Sequence, residues 1–416
     1  MKTVGIIAEY NPFHNGHKYH IEESKRTTGA EAVIVIMSGN FVQRGEPALI
    51  NKWKRAQCAL SNGADLVIEL PTYYALSSAE MFAYGGVSLL NSLGIDTLVF
   101  GSEHGEIQPF YKLAELLVTL ENKHISALQQ LMKDGHSFAT ARSLLMKKLF
   151  DLSKEEEALL NSPNNILGVE YLKAILKLNS PMKATTIKRK GSHYHSSNID
   201  ETMASASAIR KFLFEETAHG THLSLNSLRH LERQVPGETL EQIKTSDFVS
   251  GETLFHLLRY KLMTSTPESL QKIHDVSEGL EYKILRTFGS TSSFNDLITH
   301  CKSKRYTYTR LSRALMKILL EIHTEDIGYI KDDQRPEYAR ILGFTETGAA
   351  FLKTRRDSES IQMITNLKHF TPPSENSRKM MATDLLATNI YSEFDSSIRF
   401  GEDHYRQPCF LKTSMK

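Results

Sequence analysis

The apolar residues of the first hundred positions occur in short continuous runs, separated by longer segments of mixed polarity. Each run is rich in β-branched residues and ends at a polar or glycine-containing turn, which predicts a buried strand. These strands lie at 3–8, 32–37, 65–70 and 96–100, and a fifth follows at 183–190. The intervening segments predict helices at 16–25, 52–61 and 78–93. Such alternation predicts a parallel sheet that binds ligands at the carboxyl ends of its strands.

The pattern changes after about residue 215. Helical periodicity dominates at 250–263, 269–273 and 310–322, with no further strand–helix alternation. We therefore expect an α/β domain with a Rossmann-like parallel sheet over residues 1–215, followed by a mainly α-helical domain over residues 216–387. The last residues, 388–416, are polar and irregular in pattern, and we expect a partly ordered tail there.

The first predicted strand leads through a turn into a helix, with His14 and His17 at the junction. Asn15 is the predicted N-cap, so unpaired backbone N–H groups would lie beside the two imidazoles. Such a site suits nucleotidyl transfer, because negative charge builds on the non-bridging oxygens of the attacked α-phosphate. Gly16 would let that phosphate approach the backbone. A surface turn with two histidines by chance is the alternative for this motif alone.

A second candidate motif opens a later helix, where Ser205 and Ser207 precede Arg210. Hydroxyl groups at a helix start, together with an arginine one turn later, can hold the outer phosphates or the departing pyrophosphate. An ordinary helix cap with a solvated arginine is the alternative. The nearby His193 and His195 suggest zinc, but no further ligand lies at a suitable spacing. A solvated or substrate-facing loop is therefore favoured for these two histidines.

Basic residues crowd the segment 302–320, which contains two tyrosines and no acidic residue. A helix from residue 309 would place its basic side chains on one face and its apolar side chains on the other. Tyrosine rings beside such a face can stack on unpaired bases. The predicted RNA-binding residues, to which the family resemblance described below assigns tRNA as the ligand, are Lys304, Arg305, Tyr306, Arg310, Arg313 and Lys317. A solvated cationic face is the alternative.

Composition narrows the class of protein. Fifty Lys and Arg residues against 48 Asp and Glu residues give a formal net charge of +2, so nucleic-acid binding requires local patches. Cys58, Cys301 and Cys409 lie far apart and form neither a disulfide framework nor a zinc spacing, as is typical of a reducing compartment. No apolar run approaches the roughly 20 residues that cross a bilayer. We expect a cytoplasmic protein without membrane association.

Several motifs resemble those of one protein family. His14 to His17 resembles the signature that a nucleotidyltransferase superfamily shares with class I aminoacyl-tRNA synthetases. The segment 204–210 resembles the superfamily motif Ile-Ser-Ser-Thr-x-x-Arg, with Ala204, Ala206 and Ser207 in place of Ile, the second Ser and Thr. The order of EYNPFHNGHKYH, MSGNFVQRGEPA, DLVIELP, FGSE, SPNNILG, SASAIR and KRYTYTR is similar to that of the bacterial tRNA(Met) cytidine acetate ligase family.

This resemblance implies a reaction in two steps. Members activate acetate with ATP as acetyl-adenylate, releasing pyrophosphate, and then acetylate N4 of the wobble cytidine of elongator tRNA(Met). The expected ligands are therefore ATP, with Mg²⁺, together with acetate and elongator tRNA(Met). We predict no metal-binding side chains, and the sequence gives no sign of a protein partner.

The resemblance also implies the site residues. The predicted ATP-binding residues are Ile7, Ala8, Glu9, Tyr10, Asn11, Pro12, Phe13, His14, Asn15, Gly16, His17, Lys18, Tyr19, His20, Gly101, Asn164 and Arg189, to which their position at a helix start adds Ser205 and Ser207. His14, His17 and Arg210 are the predicted catalytic residues. The loop 38–47, which carries Arg44, is expected to become ordered over bound ATP.

Two other functions fit parts of the sequence. A metabolic adenylyltransferase would use the same phosphate site, although a long helical half with a basic segment argues against a free metabolite as the only substrate. A non-catalytic RNA-binding adaptor would keep the fold without the chemistry. The intact His14, Gly16, His17 and Arg210 argue against this second alternative.

Overall fold

The computed structural model describes residues 1–160, 162–189, 203–217, 223–328, 335–355 and 361–412. The strands are β1 Thr3–Ala8, β2 Ala32–Ser38, β3 Phe41–Val42, β4 Glu46–Pro47, β5 Leu66–Leu70, β6 Thr97–Ser102, β7 Lys183–Lys188, β8 Tyr338–Thr345, β9 Gln362–Ile364 and β10 Cys409–Leu411. The centre of the fold is a mainly parallel sheet in the order β10-β8-β5-β2-β1-β6-β7, with β9 paired to β8. β3 and β4 form a separate hairpin.

The five strands predicted from the apolar runs are β1, β2, β5, β6 and β7, and they pair in parallel as expected. Every residue of β2 and β5 is buried, because helices cover both faces of the central strands. A fully buried strand reads as a continuous apolar run, which is why these strands were visible in the sequence.

Helices occupy most of the remaining described chain. In the first half they are α1 Asn15–Thr28, α2 Lys52–Ser61, α3 Thr72–Ala75, α4 Ala79–Ser92, α5 Gln108–Lys133, α6 Phe138–Leu149, α7 Lys154–Leu159 and α8 Pro163–Lys177. In the second half they are α9 Ala206–Thr217, α10 Leu225–Glu232, α11 Gly237–Lys244, α12 Gly251–Met263, α13 Pro267–Gln271, α14 Leu280–Thr287, α15 Phe294–Cys301, α16 Tyr308–Leu319, α17 Thr324–Gly328, α18 Glu346–Arg355, α19 Glu375–Ser392 and α20 Glu402–Tyr405. None of the described helices combines the length and apolar character needed to cross a bilayer.

The carboxyl-terminal part differs from its prediction, because the chain returns to the sheet after its helical stretch. β8 pairs antiparallel with β5, and β10 pairs in parallel with β8. The residues expected to form an irregular tail instead contain the end of α19, the helix α20 and the strand β10. Strands β9 and β10 have three residues each, and Arg340 interrupts β8, so no continuous apolar run in the sequence indicated that this segment joins the sheet. The domain boundaries at 215 and 387 stay predictions.

A buried ionic network ties this returning segment to the sheet. Lys52 Nζ lies 2.8 Å from Glu69 Oε1 and 3.0 Å from Asp403 Oδ1. Arg340 Nη2 lies 2.8 Å from the same Asp403 oxygen. All four side chains are buried, and buried charges are tolerated only when they are paired. Docking of the last described residues is therefore coupled to the integrity of the core.

Candidate active site

A cleft of about 780 Å³ opens at the carboxyl ends of β1, β6 and β7. Further walls come from the starts of α8 and α9, from the hairpin β3–β4 and from α16. Parallel α/β sheets bind ligands at this edge, and the volume is in the range that holds a nucleotide. The cleft is therefore the candidate active site.

Most of the predicted ATP-binding residues line this cleft. From the β1–α1 segment they are Ile7, Ala8, Glu9, Tyr10, Asn11, His14, Gly16, His17, Tyr19 and His20. From later segments they are Gly101, Asn164, Arg189, Ser205 and Ser207. The fold thus brings together side chains that lie far apart in the sequence.

Other members of the predicted set face elsewhere. Pro12 and Phe13 are buried without lining the cleft, and Lys18 is exposed on α1. The side chain of Asn15 donates from Nδ2 to the carbonyl oxygen of Arg233 at 2.9 Å. The contacts of Pro12, Phe13, Asn15 and Lys18 with ATP stay predictions. A contiguous motif does not show which side chains of a tight turn point inward.

His14 is the N-cap of α1, a role that the sequence assigned to Asn15. Its Nδ1 accepts a hydrogen bond from the Gly16 N–H at 3.0 Å, and His17 Nδ1 accepts one from the His14 N–H at 3.3 Å. The Asn15 N–H donates to the Gln234 carbonyl at 2.9 Å. The backbone donors expected to bind phosphate are thus already occupied. The hydrogen-bond donors that remain for a ligand are therefore the imidazole side chains.

These hydrogen bonds fix the tautomer of both imidazoles. A ring nitrogen that accepts carries no proton, so each neutral ring is protonated on Nε2. Burial and the charge of Arg189 lower the pKa of His14 to about 3. Burial and the neighbouring His14 hold the pKa of His17 well below its usual range. At neutral pH the pair therefore offers two Nε2–H donors and no charge.

Gly16 leaves room for an imidazole rather than for a phosphate. A Cβ atom at this position would lie 2.8 Å from Cε1 and 3.0 Å from Nδ1 of His14. Such distances are shorter than van der Waals contact, so any larger residue would displace the ring. The expected close approach of phosphate to this glycine is therefore replaced by a close approach of His14.

His20 lies one turn further along α1 and also lines the cleft. Its Nε2 is buried and has no hydrogen-bond partner among the described residues. Burial, followed by the charge of Arg189, lowers the pKa of His20 to about 4, so this ring is also neutral at physiological pH. A buried polar atom without a partner in a cleft wall indicates a position where a ligand completes the hydrogen bonding.

Arg210 is not among the residues that line the cleft. Its Nη1 donates to the carbonyl oxygen of Asn11 at 2.8 Å, and its Nη2 lies 3.8 Å from Glu46 Oε2. The side chain therefore connects α9 to the turn before α1 and to the hairpin β3–β4. This geometry fits a positioning residue better than the direct phosphate contact that the sequence predicted.

The start of α9 presents hydroxyl and ammonium groups to the cleft. Ser205 Oγ accepts from the Ala208 N–H at 3.2 Å, as an N-cap does, and its own O–H remains a donor. Ser207 and Lys211 lie on the first turns and also line the cleft. Helix capping and anion binding are therefore compatible here, and the sequence had not indicated Lys211.

The opposite wall comes from the ends of β6 and β7 and the start of α8. The Arg189 N–H donates to the Ser102 carbonyl at 2.9 Å, which fixes this arginine at the end of β7. Asn164 Nδ2 donates to Glu103 Oε1 at 2.7 Å. The side-chain oxygen of Asn164, Oδ1, has the chemistry to accept a hydrogen bond from an adenine or ribose group.

Cationic side chains dominate the cleft. Its lining includes Arg44, Lys188, Arg189, Lys211 and Arg313, whereas Glu9 is the single acidic residue among the described lining residues. Such a field attracts and holds a polyanion such as a triphosphate. Across the described chain, no three His, Cys, Asp or Glu side chains converge in a way that would hold a metal ion.

The helix α16 is a wall of the cleft that sequence reasoning missed, and it lies beside the hairpin β3–β4. Gln43 and Arg44 lie at the turn of the hairpin, and Thr309 and Arg313 come from α16. The loop 38–47 had been expected near ATP, but nothing in the local pattern linked it to a helix so much later in the chain. Whether this loop becomes ordered on ATP binding stays a prediction.

The predicted RNA-binding segment divides into exposed and buried parts. Lys304 is exposed, and Arg305 is half-buried with its Nε 3.2 Å from Glu278 Oε2. The guanidinium of Arg310, also half-buried, lies 4.9 Å from the centre of the Tyr306 ring. Lys304, Arg305 and Arg310 are thus the predicted residues that stay available to an RNA phosphate.

Two of the predicted RNA-binding side chains, Tyr306 and Lys317, are buried in the structure. Tyr306 is buried, and its hydroxyl donates to the Ser277 carbonyl at 3.0 Å, so its ring offers no free face for a base. Lys317 is fully buried, with Nζ 2.6 Å from Asp275 Oδ2. Helical periodicity places residues on a face but does not show which segment covers that face.

His193 and His195 lie outside the described residues.

The chain is similar along most of its length to known proteins. The model of the HIGH Nucleotidyl Transferase family matches residues 1–404. A tRNA(Met) cytidine acetate ligase of Thermoanaerobacter sp. (strain X514) is 43% identical over 398 residues, covering 94% of this chain and 95% of the relative. Its counterpart in Clostridium acetobutylicum is 42% identical over 418 residues, covering 98% and 99%.

Solved structures match along the whole chain as well. The apo structure of Thermotoga maritima TmcAL superimposes with a TM-score of 0.89 at 31% identity, covering 99% of this chain and 100% of that one. The same protein bound with alpha-thio ATP gives a TM-score of 0.87 at 32% identity, with the same coverage. The chain therefore belongs to the HIGH nucleotidyl transferase family and, within it, to the tRNA(Met) cytidine acetate ligases.

Proposed function

We propose that this protein activates acetate with ATP as acetyl-adenylate and acetylates N4 of the wobble cytidine of elongator tRNA(Met). The observation that carries the proposal is the stacked pair of neutral imidazoles, His14 and His17, with ring centres 3.7 Å apart in a cationic, nucleotide-sized cleft. The alpha-thio ATP bound by the Thermotoga maritima relative supports ATP as the ligand of this cleft. Membership of the ligase family argues against both the metabolic adenylyltransferase and the non-catalytic adaptor.

In the first step, a carboxylate oxygen of acetate attacks the α-phosphorus of ATP. An oxygen–phosphorus bond forms, the bond to the bridging oxygen breaks, and pyrophosphate leaves. The Nε2–H groups of His14 and His17 donate to the α-phosphate oxygens, whose charge rises in the transition state. Because the imidazoles are neutral and fixed by the helix start, they need no reorganisation during the step. The remaining phosphates are proposed to bind four residues that line the cleft, namely Ser205, Ser207, Lys211 and Arg189.

In the second step, the exocyclic amine of cytidine attacks the acetyl carbonyl of acetyl-adenylate. A carbon–nitrogen bond forms, AMP leaves, and the amine loses one proton to solvent. This amine is a weak nucleophile because its lone pair is delocalised into the ring, so positioning against the mixed anhydride dominates the rate. Anticodon bases are unpaired and can be presented in this way.

Glu9 is the single acidic residue among the described residues that line the cleft, and its Oε1 already accepts a hydrogen bond from the Gln43 N–H at 2.8 Å. Mg²⁺ is therefore expected to enter on the ATP phosphates, and no step above depends on a protein ligand to it.

The tRNA is proposed to contact Lys304 and Arg305, which precede α16, and Arg310 on the first turn of this helix. These side chains lie on the same stretch as Thr309 and Arg313, which line the cleft. A tRNA phosphate bound there would place its anticodon bases near the adenylate. Such a reaction belongs in the cytoplasm, where we place the protein.

The direct test is nucleoside analysis of a tRNA after reaction. The purified protein is incubated with acetate, ATP and unmodified elongator tRNA(Met), and the digested RNA is examined by mass spectrometry for N4-acetylcytidine. We expect one acetyl group per tRNA, and none when ATP is omitted or when the wobble cytidine is replaced by uridine. Unmodified cytidine in the complete reaction would contradict the proposal.

A further inference from the structure

The helix α16 brings one arginine to the active-site cleft. Ser312 Oγ donates to the Gly45 carbonyl at 2.7 Å, and a Cβ atom at Gly45 would lie 2.3 Å from the backbone nitrogen of Arg313. The hairpin and the helix are therefore in backbone contact, which only glycine permits at this position. As a result Arg313, on the next position of α16, lines the cleft.

The guanidinium of Arg313 is incompletely satisfied by the protein. Its Nη1 donates to the Gln43 carbonyl at 3.3 Å. Its Nε is buried and has no hydrogen-bond partner among the described residues. The edge formed by Nε and Nη2 is therefore the part of the group that a ligand can use.

The acidic group that attracts Arg313 electrostatically is Asp275, which pairs with another residue. Its Oδ2 lies 2.6 Å from Lys317 Nζ. Burial itself lowers the pKa of Arg313, which reflects the cost of keeping this cation away from water. Buried cations are normally paired with an anion, so an anionic ligand is expected at this edge.

The two substrate anions of the first step differ in how well they fit this edge. The triphosphate already has proposed donors in the imidazoles, in Arg189 and at the start of α9. Among the cations that line the cleft, Arg313 is the one whose guanidinium has a buried N–H without a partner in the described chain. The Nε–H and Nη–H groups of one guanidinium edge match the two oxygens of a carboxylate. We propose that Arg313 binds the carboxylate of acetate through this edge and orients it for attack on the α-phosphorus.

This inference rests on the proposed function, and one assay separates their failures. Acetate-dependent exchange of labelled pyrophosphate into ATP is measured without tRNA for the wild type, R313K and R313A. R286K serves as the matched control, because Arg286 is exposed on α14 and lies outside the cleft. Thermal unfolding of each variant verifies that it is folded. If R313A does not fold, R313K, which keeps the positive charge, serves as the test variant.

The Michaelis constants for the two substrates decide the outcome. A charged hydrogen-bonded pair predicts that R313A raises the KM for acetate by about 10- to 100-fold, with R313K between R313A and the wild type. The KM for ATP should change by no more than about 3-fold, and R286K should match the wild type. An unchanged KM for acetate, or a rise mainly in the KM for ATP, would overturn the inference. Absence of acetate-dependent exchange in the wild type would instead overturn the proposed function itself.

Discussion

The imidazole rings of His14 and His17 stack with their centres 3.7 Å apart, and each Nδ1 accepts a backbone N–H of the same helix start. The helix start therefore uses its backbone donors to orient two side-chain donors. In a usual N-cap the acceptor is a hydroxyl or carboxylate oxygen that satisfies the helix and does nothing else. Here the capping groups are also side chains that line the cleft.

The first prediction concerns the space that Gly16 leaves for His14. In G16A the new Cβ would lie 2.8 Å from the His14 ring, so the imidazole must move away from its catalytic position. We expect the rate of acetate-dependent pyrophosphate exchange to fall by about 10-fold or more, since small misplacement of a catalytic group is costly. G237A is the control, because a Cβ at Gly237 meets nothing within 4 Å. Equal exchange rates in G16A and G237A would show that the ring tolerates displacement.

The second prediction concerns the stability of the folded protein in mild acid. The pKa of His20 is about 4 in the folded protein, below its ordinary value of 6.5, so unfolding is accompanied by proton uptake between these values. The stabilisation from neutral His20 is therefore complete above the ordinary pKa and is lost as the pH falls toward about 4. Between about pH 7.5 and 5.5, we expect the free energy of unfolding of the wild type to fall by roughly 1 kcal/mol more than that of H20Q. Denaturant titrations at both pH values measure this difference, and identical decreases would contradict the assignment.

The third prediction concerns the contact between Gly45 and α16. Both Gly45 and Gly279 have positive φ angles, of 84° and 87°, but only Gly45 has a neighbour in the way of a Cβ. G45A and G279A therefore share the backbone strain and differ in the steric clash. We expect G279A to lose about 1 kcal/mol and G45A at least about 2 kcal/mol of unfolding free energy. G45A should also raise the KM for acetate, because it moves Arg313; equal effects of the two substitutions would argue against a tight hairpin–helix contact.

The fourth prediction concerns the exposed lysine before α16. Reversing the charge in K304E should weaken tRNA binding and reduce the slope of log affinity against log salt by about 1, while acetate-dependent pyrophosphate exchange is retained. K368E provides the same charge change at an exposed lysine on the returning carboxyl-terminal segment. Fluorescence anisotropy with labelled tRNA at two salt concentrations distinguishes the two variants. Matching affinities and slopes for K304E and the wild type would remove Lys304 from the binding surface.

The parts of the fold that depend on local pattern were predictable from the sequence. The strands β1, β2, β5, β6 and β7 are short apolar runs, and the parallel sheet follows from their alternation with helices. The strand β8 was missed because its partner β5 lies in the first hundred residues, and no local pattern records such a pairing. The contact of α16 with the hairpin β3–β4 was missed for the same reason, because the two segments lie far apart in the sequence.

Within the site, residue types were predictable but individual roles were not. The motif around His14 indicated a phosphate site, yet it did not show that the histidine itself, rather than Asn15, would cap the helix. The sequence placed Lys317 on the basic face of a helix. It did not show that Asp275, on another segment, forms an ion pair with this lysine. Side-chain roles of this kind depend on tertiary neighbours, which one sequence does not reveal.

The most direct test of the central claim is acetate-dependent pyrophosphate exchange in the H14A/H17A double variant. Loss of both Nε2–H donors should lower the exchange rate by at least about 10³-fold while ATP binding, measured by calorimetry, is kept within about 10-fold. This outcome would mean that the imidazole pair acts on the transition state rather than on binding. Exchange at the wild-type rate in a folded double variant would contradict the mechanism.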